Sequence, residues 1–315
     1  KHSSDFNLAR EATLSSGLSP HTPGITITRA CGTGLDSLIT VANKIAVGQI
    51  EAGIGGGSDT TSDVPIAVSK KLRRRLLDLN RARSLGERIK AALKGFSLGE
   101  FKPEFPGVAE PRTGKSMGES CEDMAKQWQI RREDQDLLAY ESHQKAAAAY
   151  ARGFYSDLVM PLRGLDKDNI LRPDTTLEKL ATLKPAFDKR SGNGTLTAGN
   201  STNLSDGASA ALLSSEAWAQ ANGKEIQAYL VDAQVAAVDF VAGEGLLMAP
   251  AWAVAQLLKR NNLKLQDFDF YEIHEAFAAQ AVAVGKQLGL DPDKLNVNGG
   301  AIALGHPIAA SGARA

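Results

Sequence analysis

Three residues of this 315-residue chain carry side chains suited to nucleophilic chemistry and stand where strands are predicted to end: Cys31, His274 and His306. In parallel α/β sheets, ligand sites form at the carboxyl ends of strands. A thiol with two imidazoles suits acyl transfer, because one histidine can take the thiol proton while the other stabilises an oxyanion. We predict all three to be catalytic. For Cys31, a small packed core cysteine is the alternative interpretation.

The elements around Cys31 should make its thiol reactive. A β-branched stretch at 25–28 precedes it, and a helix follows, predicted from apolar residues at one-face spacing: Leu35, Leu38, Ile39, Ala42 and Ala46. The unpaired N–H groups and the dipole at the start of this helix should lower the pKa of the thiol. Gly32 and Gly34 leave room for a ligand or for close backbone approach.

Composition narrows the function classes. A formal net charge of zero argues against a dedicated nucleic-acid binder. Two cysteines, Cys31 and Cys121, give neither a disulfide framework nor a zinc-type cluster, so we expect no bound metal and a reducing compartment, the cytoplasm or alternatively the mitochondrial matrix. Residues 1–20 do not look like a signal peptide, and no apolar run is long enough to span a membrane. Both ends are expected to be cut, because each falls inside or beside a helical pattern.

The first part of the chain has the pattern of a parallel α/β body. We predict a helix over 1–16, a strand at 25–28, the Cys31 helix up to about Gly48, and a strand at 50–57. Strand, helix and strand at this spacing indicate a parallel βαβ unit. The glycine run at 55–57 is either a tight turn or a phosphate cradle.

The region 63–183 reads as a mostly helical insertion that caps the body. A basic block at 70–83 begins with Lys70, ends with Arg83 and is threaded with leucines. It is a solvated helix face, a patch for a ligand's phosphates, or a peripheral surface for anionic lipid. Further helices are predicted over 117–129 and 132–152.

The last part repeats the layout around Cys31. We predict strands at 195–197, 226–238 and 268–273 and helices over 208–219 and 250–259, with His274 where a strand runs into a helix and His306 in a rigid glycine–proline loop. Two halves with like layouts suggest a pseudo-duplicated fold. The remaining histidines, His2, His21 and His143, are predicted to lie on the surface.

Five segments stand out in chain order: CGTG at 31–34, MGESCE at 117–122, TAGNST at 197–202 with DGA at 206–208, HEAFA at 274–278, and NGGAIA at 298–303 with GHP at 305–307 and SG at 311–312. Together they resemble the motifs of one enzyme family, the thiolases, of the acetyl-CoA acyltransferase (3-ketoacyl-CoA thiolase) type. The resemblance implies an α/β fold of duplicated βαβ halves in a layered αβαβα body with a helical cap. It implies segments 1–62 (nucleophile half), 63–190 (cap), 191–219 (return to the first half) and 220–315 (second half).

The resemblance also implies a function: thiolytic cleavage of 3-ketoacyl-CoA by coenzyme A in fatty acid β-oxidation, through an acyl group on Cys31. His306 would activate Cys31 and later the coenzyme thiol, and His274, with a water and His306, would bind the thioester oxygen. Coenzyme A is a substrate, with no bound cofactor. Thr202, Ser201, Met117 and Ser116 are the implied coenzyme contacts, although many members have histidine where Ser116 stands.

Partners and alternatives follow from the same resemblance. His274, where asparagine is commoner, and the basic insertion resemble the β-oxidation subunit that partners a hydratase–dehydrogenase subunit, and a homodimer or tetramer is expected. The family's second catalytic cysteine lies in a motif beyond Ala315, and Cys121 is not its equivalent. The alternatives are a biosynthetic acetoacetyl-CoA thiolase and an inactive thiolase-like scaffold subunit.

Overall fold

The computed structural model describes residues 6–315, and helices predominate among them. The elements in chain order are α1 (Leu8–Ser15), α2 (Thr33–Ala46), β1 (Ala52–Asp59), β2 (Ala67–Val68), α3 (Lys70–Arg81), α4 (Leu85–Leu93), β3 (Pro103–Glu104), α5 (Met117–Gln127), α6 (Arg132–Ala151), α7 (Leu177–Ala181), β4 (Gly207–Ser214), α8 (Glu216–Ala221), α9 (Ala249–Asn261), α10 (Ala278–Leu288), α11 (Ala301–Leu304) and α12 (Ser311–Arg314). Short 3₁₀ turns lie at Leu98–Phe101, Leu265–Asp267 and Pro292–Lys294. Over this range no helix combines the length and apolar character needed to cross a bilayer.

The chain divides into two compact units. The first contains the residues up to 26 together with 62–108, and the second contains 27–61 together with 109–315. The predicted helix over 1–16 is observed as α1, and its first residues, with His2, fall outside the described part of the chain. The division at 62, 190 and 219 derived from the sequence stays a prediction.

The first unit pairs α3 with α4 through a buried arginine. The Arg75 guanidinium donates two hydrogen bonds of 3.0 Å to the Glu100 carboxylate and others to the carbonyls of Ala91 and Ala92 at the end of α4. It also lies over the ring of Phe96, 5.6 Å from the centroid. Arg75 therefore has a structural role, because its guanidinium is buried and cannot bind a phosphate or a membrane. The other basic residues of the 70–83 block are exposed.

In the second unit, β1 pairs with β4 in antiparallel register, from Ala52 opposite Ser214 to Asp59 opposite Gly207. The predicted parallel βαβ unit is wrong. Residues 25–28 do not form a strand, and β1, which follows α2, pairs with β4 in antiparallel orientation. β-Branched residues favour extended backbone, but a strand also needs a neighbour with which to exchange hydrogen bonds.

The glycine run in β1 is neither a turn nor a phosphate cradle. A Cβ on Gly55 would lie 2.7 Å from a side-chain carbon of Leu38 in α2, and one on Gly57 would lie 1.9 Å from the carbonyl oxygen of Ala309. These glycines let α2 and the loop after His306 pack directly against the strand.

The predicted helix over 208–219 is wrong, since β4 occupies Gly207–Ser214 and only Glu216–Ala221 is helical. An alanine-rich run has high intrinsic helix propensity. Pairing with β1 overrides that propensity here, because the small residues at 209–211 lie opposite the glycine run at 55–57.

The strands predicted at 195–197, 226–238 and 268–273 are not assigned in the structure. Two of these stretches instead make isolated bridges, Pro185 with Thr197 and Tyr271 with Leu295. Tyr271 exchanges hydrogen bonds of 2.9 Å with the backbone on either side of Leu295, which fixes the approach to His274.

Helices form the main core of the second unit. The predicted helices over 117–129, 132–152 and 250–259 are confirmed as α5, α6 and α9. Cys121 of α5 packs there with Met124 and with Phe277 just before α10. His143 is not on the surface as predicted: it is buried on α6, and its Nδ1 accepts a hydrogen bond from the backbone N–H of Arg172.

Candidate active site

Cys31 sits in a tight turn that ends where α2 begins. Ala30 has a φ of +43°, an unusual backbone conformation for a residue with a side chain. Thr33 holds the turn, because its hydroxyl accepts a 2.7 Å hydrogen bond from the N–H of Arg29 and donates one to the carbonyl of Ala30. Gly34 is needed for close approach, since a Cβ there would lie 2.8 Å from the carbonyl oxygen of Ala309.

His306 faces Cys31 from the loop between α11 and α12. Its Nε2 lies 3.0 Å from the Cys31 sulfur, and its Nδ1 lies 2.6 Å from the Ser311 hydroxyl oxygen. The His306 side chain is buried. The loop is closely packed, because Gly305 has a φ of +90° and a Cβ there would lie 2.8 Å from the Ser205 hydroxyl oxygen.

His274 completes a group of three. Its ring lies beside that of His306, with centroids 4.1 Å apart and planes inclined by 46°. One ligand atom from each of Cys31, His274 and His306 can be chosen so that all lie within 4.8 Å of one another. The Nε2 atom of His274 is buried and has no hydrogen-bond partner in the described structure. Residues 275 positions apart in sequence thus converge on one spot, as the sequence predicted.

Burial keeps this group electrically neutral. Burial, with a smaller contribution from the neighbouring His306, lowers the pKa of His274 to about 3. Burial also lowers the pKa of His306 to about 4, although the negative charge of Asp59 acts in the opposite direction. Burial also raises the pKa of the Cys31 thiol above its ordinary value, outweighing a backbone hydrogen bond, and Asp59 raises it further. The sequence-based expectation of a lowered thiol pKa is therefore wrong, because desolvation exceeds the effect of the helix start.

A buried carboxylate fixes the loops that carry the histidines. Glu275 accepts hydrogen bonds from the Ser142 hydroxyl (2.7 Å), the Asn296 amide (2.7 Å) and the N–H of Ile302 (3.1 Å). Asn296 also exchanges hydrogen bonds of 2.8 and 2.9 Å with the backbone of Ile273, next to His274. Glu275 is thus a structural partner of the site, and burial raises its pKa despite these donors.

The segment 195–205 joins both histidine loops. The N–H of Thr202 donates to the carbonyl of Ala276, and the N–H of Ala278 donates to the carbonyl of Asn200. Further along, the backbone of His306 exchanges hydrogen bonds with Asn203 (2.9 Å) and Ser205 (3.2 Å). The segment is itself anchored by Glu122, which accepts hydrogen bonds from the N–H groups of residues 195 and 196.

Comparison with known protein families shows to which family the chain belongs. The family model for the thiolase N-terminal domain matches residues 1–217, and that for the thiolase C-terminal domain matches residues 224–315. The chain belongs to the thiolase family. The thiolase-like α/β fold predicted from the sequence motifs is confirmed.

Individual thiolases are similar over most of the chain. Proteins named 3-ketoacyl-CoA thiolase from Shewanella sediminis and Colwellia psychrerythraea are 43% and 41% identical over 98% of this chain and 75% of their own length. The crystal structure of human mitochondrial 3-ketoacyl-CoA thiolase in complex with CoA has a TM-score of 0.83 at 33% identity, covering 98% of this chain and 73% of that one. A thiolase from Ascaris suum in complex with coenzyme A has a TM-score of 0.84 at 30% identity, covering 99% and 76%.

The four residues predicted to contact coenzyme A fall in two places on this thiolase chain. Ser201 and Thr202 lie on the segment that binds both histidine loops; the Thr202 hydroxyl donates to the carbonyl of Ala301 (2.6 Å), and the Ser201 hydroxyl is buried without a partner in the described structure. Ser116 caps α5, exchanging hydrogen bonds with Glu119, and Met117 beside it is exposed.

Sequence reasoning missed two polar neighbours of the thiolase site. Asp59, at the end of β1, acts electrostatically on both Cys31 and His306. It stands at the carboxyl end of a strand, so the rule that selected Cys31 could have found it. Ser311 belongs to the SG pair at 311–312, but its contact with His306 depends on the turn between them, which the sequence pattern does not define.

Proposed function

We propose that this chain catalyses the thiolysis of 3-ketoacyl-CoA by coenzyme A, which yields acetyl-CoA and an acyl-CoA shortened by two carbons. The observation that carries this proposal is the 3.0 Å contact between the Cys31 sulfur and His306 Nε2, with His274 beside it. The names of the similar curated proteins support the same reaction, as part of fatty acid β-oxidation.

The first half-reaction transfers an acyl group to Cys31. His306 Nε2 takes the thiol proton as the sulfur attacks the 3-keto carbon of the substrate, and the backbone N–H of Cys31 contributes a donor to the resulting oxyanion. The bond between C2 and C3 then breaks, and its electron pair leaves with acetyl-CoA as an enolate. His274, with a water and His306, holds the enolate oxygen while the proton that His306 took from Cys31 passes to C2, which completes acetyl-CoA and returns His306 to its neutral form. Each such donor contributes about 3–4 kcal/mol in comparable enzymes.

The second half-reaction returns the acyl group to coenzyme A. The coenzyme thiol gives its proton to His306 Nε2 and attacks the thioester carbonyl on Cys31. Collapse of the tetrahedral intermediate expels the Cys31 sulfur, which recovers the proton from His306. The neutral resting state of His306 suits this role, since a base must be unprotonated before each attack.

Coenzyme A would be held by the segment at Ser201 and Thr202 and by the start of α5 at Ser116 and Met117. The Ser201 hydroxyl has no hydrogen-bond partner among residues 6–315 and is available to a polar group of the coenzyme, whereas the Ser116 hydroxyl is already engaged in its helix cap. Cys121 is not proposed as the proton donor to the enolate, because burial raises its pKa far above neutrality.

Intact-mass analysis with peptide mapping tests this function. After incubation with an acyl-CoA or a 3-ketoacyl-CoA, we expect an acyl group on Cys31 and none in the Cys31→Ala variant. Cys121→Ser is the matched control and should be acylated like the parent chain. A folded parent chain that takes no acyl group would contradict the proposal and favour a thiolase-like scaffold subunit.

A chain-length series separates degradative from biosynthetic use. We expect turnover of 3-ketoacyl-CoA substrates longer than acetoacetyl-CoA. A solved structure named acetyl-CoA acetyltransferase, from Bacillus anthracis, is similar at 34% identity. Turnover restricted to acetoacetyl-CoA would therefore identify the biosynthetic reaction.

A homo-oligomer and a hydratase–dehydrogenase partner subunit are part of the same proposal, and light scattering of the chain alone and with that subunit would test them.

A further inference from the structure

The three side chains at the site are also a donor set for a transition metal. Cys31 offers a sulfur and His274 and His306 each offer an imidazole nitrogen, and these atoms lie within 4.8 Å of one another. The sequence alone argued against a metal site, because two separate cysteines do not form a zinc motif. We propose that Cys31, His274 and His306 bind one Zn²⁺, or a similar thiolate-seeking divalent ion, in a reversible site that blocks the nucleophile.

The geometry is close to that required. Tetrahedral zinc with bond lengths of about 2.3 Å to sulfur and 2.0–2.1 Å to nitrogen separates sulfur from nitrogen by about 3.6 Å and two nitrogens by about 3.3 Å. The sulfur of Cys31 and Nε2 of His306 are now 3.0 Å apart, so a small movement of the Cys31 side chain would admit the ion. Cys31 is only partly buried, which leaves an entry path. A fourth position would remain for water, as in three-ligand zinc sites.

Polar groups around the site would support its ligands once an ion is bound. Histidines that bind zinc usually make a hydrogen bond through their other ring nitrogen, which fixes the ring and its tautomer. The Ser311 hydroxyl is placed to do this for His306, 2.6 Å from Nδ1. His274 Nε2 is buried and unpartnered in the described structure. The charge of Asp59 reaches both Cys31 and His306 and would offset part of the ion's charge.

The binding step is balanced without any co-reactant. The Cys31 S–H bond breaks, a sulfur–zinc bond forms and one proton leaves to solvent, while the two neutral imidazoles donate lone pairs and lose nothing. No electron is transferred. The bound thiolate can no longer attack a carbonyl carbon, so on the proposed function the ion is a competitive inhibitor of acylation. Thiolate and imidazole ligands select zinc over Mg²⁺ and Ca²⁺, which prefer oxygen.

Cobalt substitution tests the site with a readout that does not depend on activity. The chain is freed of metal with a chelator and titrated with Co²⁺, and the near-ultraviolet absorption of a cobalt–thiolate bond is followed. We expect one equivalent to bind, Zn²⁺ to displace it, and Mg²⁺ to leave it in place. Cys31→Ser should abolish the absorption, and blocking Cys31 with iodoacetamide in the parent chain gives the same test without a substitution.

Matched variants localise the binding. His274→Ala should weaken Co²⁺ binding, and Ser311→Ala should weaken it about 10- to 100-fold, as expected for loss of a supporting hydrogen bond. Cys121→Ser and His21→Ala serve as controls and should bind as tightly as the parent. No cobalt–thiolate absorption, absorption that survives the blocking of Cys31, or its loss in Cys121→Ser would each overturn the proposal.

The metal site and the enzymatic function fail in different ways. A chain that is acylated on Cys31 in chelator-treated buffer but shows no cobalt–thiolate absorption lacks the metal site only. A chain that binds Co²⁺ through Cys31 but takes no acyl group has the metal site without the proposed activity. When both hold, Zn²⁺ should protect Cys31 from acyl-CoA and from iodoacetamide alike.

Discussion

Alkylation of Cys31 should reveal a resting pair that is neutral, thiol beside imidazole, and not a thiolate–imidazolium ion pair. The pKa of His306 is about 4, and that of Cys31 lies above its ordinary value of 9.0. Moving the proton from sulfur to nitrogen therefore crosses at least five pH units. At 1.36 kcal/mol for each unit, this transfer costs about 7 kcal/mol or more.

Attraction between the resulting charges does not recover this cost. At the observed 3.0 Å separation and an effective dielectric constant of about 20, the attraction is about 5.5 kcal/mol. The neutral pair is thus favoured by at least about 1.3 kcal/mol, and burial of Cys31 adds to that difference. The ion pair should make up at most about a tenth of the resting molecules.

The pH dependence of iodoacetamide alkylation measures this balance. With Cys121→Ser as background and a chelator present, Cys31 is the one thiol in the chain. We expect its rate constant at pH 7 to be at least about tenfold below the value at pH 9.5, because most of the thiol is still protonated. A small free thiol measured in parallel corrects for the reagent.

A flat profile would refute this reasoning. If the rate at pH 6–7 came within twofold of the rate at pH 9.5, the thiolate would already predominate at neutral pH. Desolvation would then be weaker than the buried position of the pair indicates, and the helix start would control Cys31 as the sequence first suggested.

Three further changes should affect stability. Glu275→Ala removes the acceptor of three hydrogen bonds and should lower the free energy of unfolding by about 3 kcal/mol or more, measured with urea, whereas Glu275→Gln should lose less. Gly57→Ala should lower the free energy of unfolding by about 1–3 kcal/mol, since the new methyl would meet the carbonyl of Ala309. Gly86→Ala is the control, because no atom of residues 6–315 lies within 4 Å of a Cβ there, and a drop for Gly57→Ala as small as that of the control would contradict the packing argument. Burial lowers the pKa of His143, so the unfolded chain binds the proton first and the free energy of unfolding falls as pH falls below about 6.5. His143→Asn should reduce the difference in the free energy of unfolding between pH 7 and pH 5, measured by denaturation curves. An unchanged difference would contradict this prediction.

The convergence of the three site residues was predictable from residue types at element ends, and the direction of their pKa shifts was not. Cys31, His274 and His306 converge because polar residues at element ends in an α/β body tend to meet. The direction of the Cys31 pKa shift depends on how deeply the turn at Ala30 is buried in the folded chain. A local sequence pattern does not predict that burial. The contact between His306 and Ser311 likewise depends on loop geometry.

The fold was predictable where local periodicity decides and not where pairing decides. The helices α5, α6 and α9 carry their own hydrogen bonds, so their sequences define them. The run at 207–214 is helical by propensity and becomes a strand only because β1 offers a glycine face. The prediction for His143 was wrong for a similar reason. Its polar side chain suggests exposure, but on α6 it is buried and accepts a hydrogen bond from the backbone of residue 172.

The segment at 195–205 belongs to the part of the chain matched by the N-terminal thiolase model, whereas both histidines belong to the part matched by the C-terminal one. Its backbone hydrogen bonds to residues 276, 278 and 306 connect the two halves of the chain. The loops that carry His274 and His306 therefore depend on a segment from the other half of the chain. A chain severed between residues 217 and 224 should regain its site only by reassembly, so a gene encoding either half would supply a component and not an enzyme.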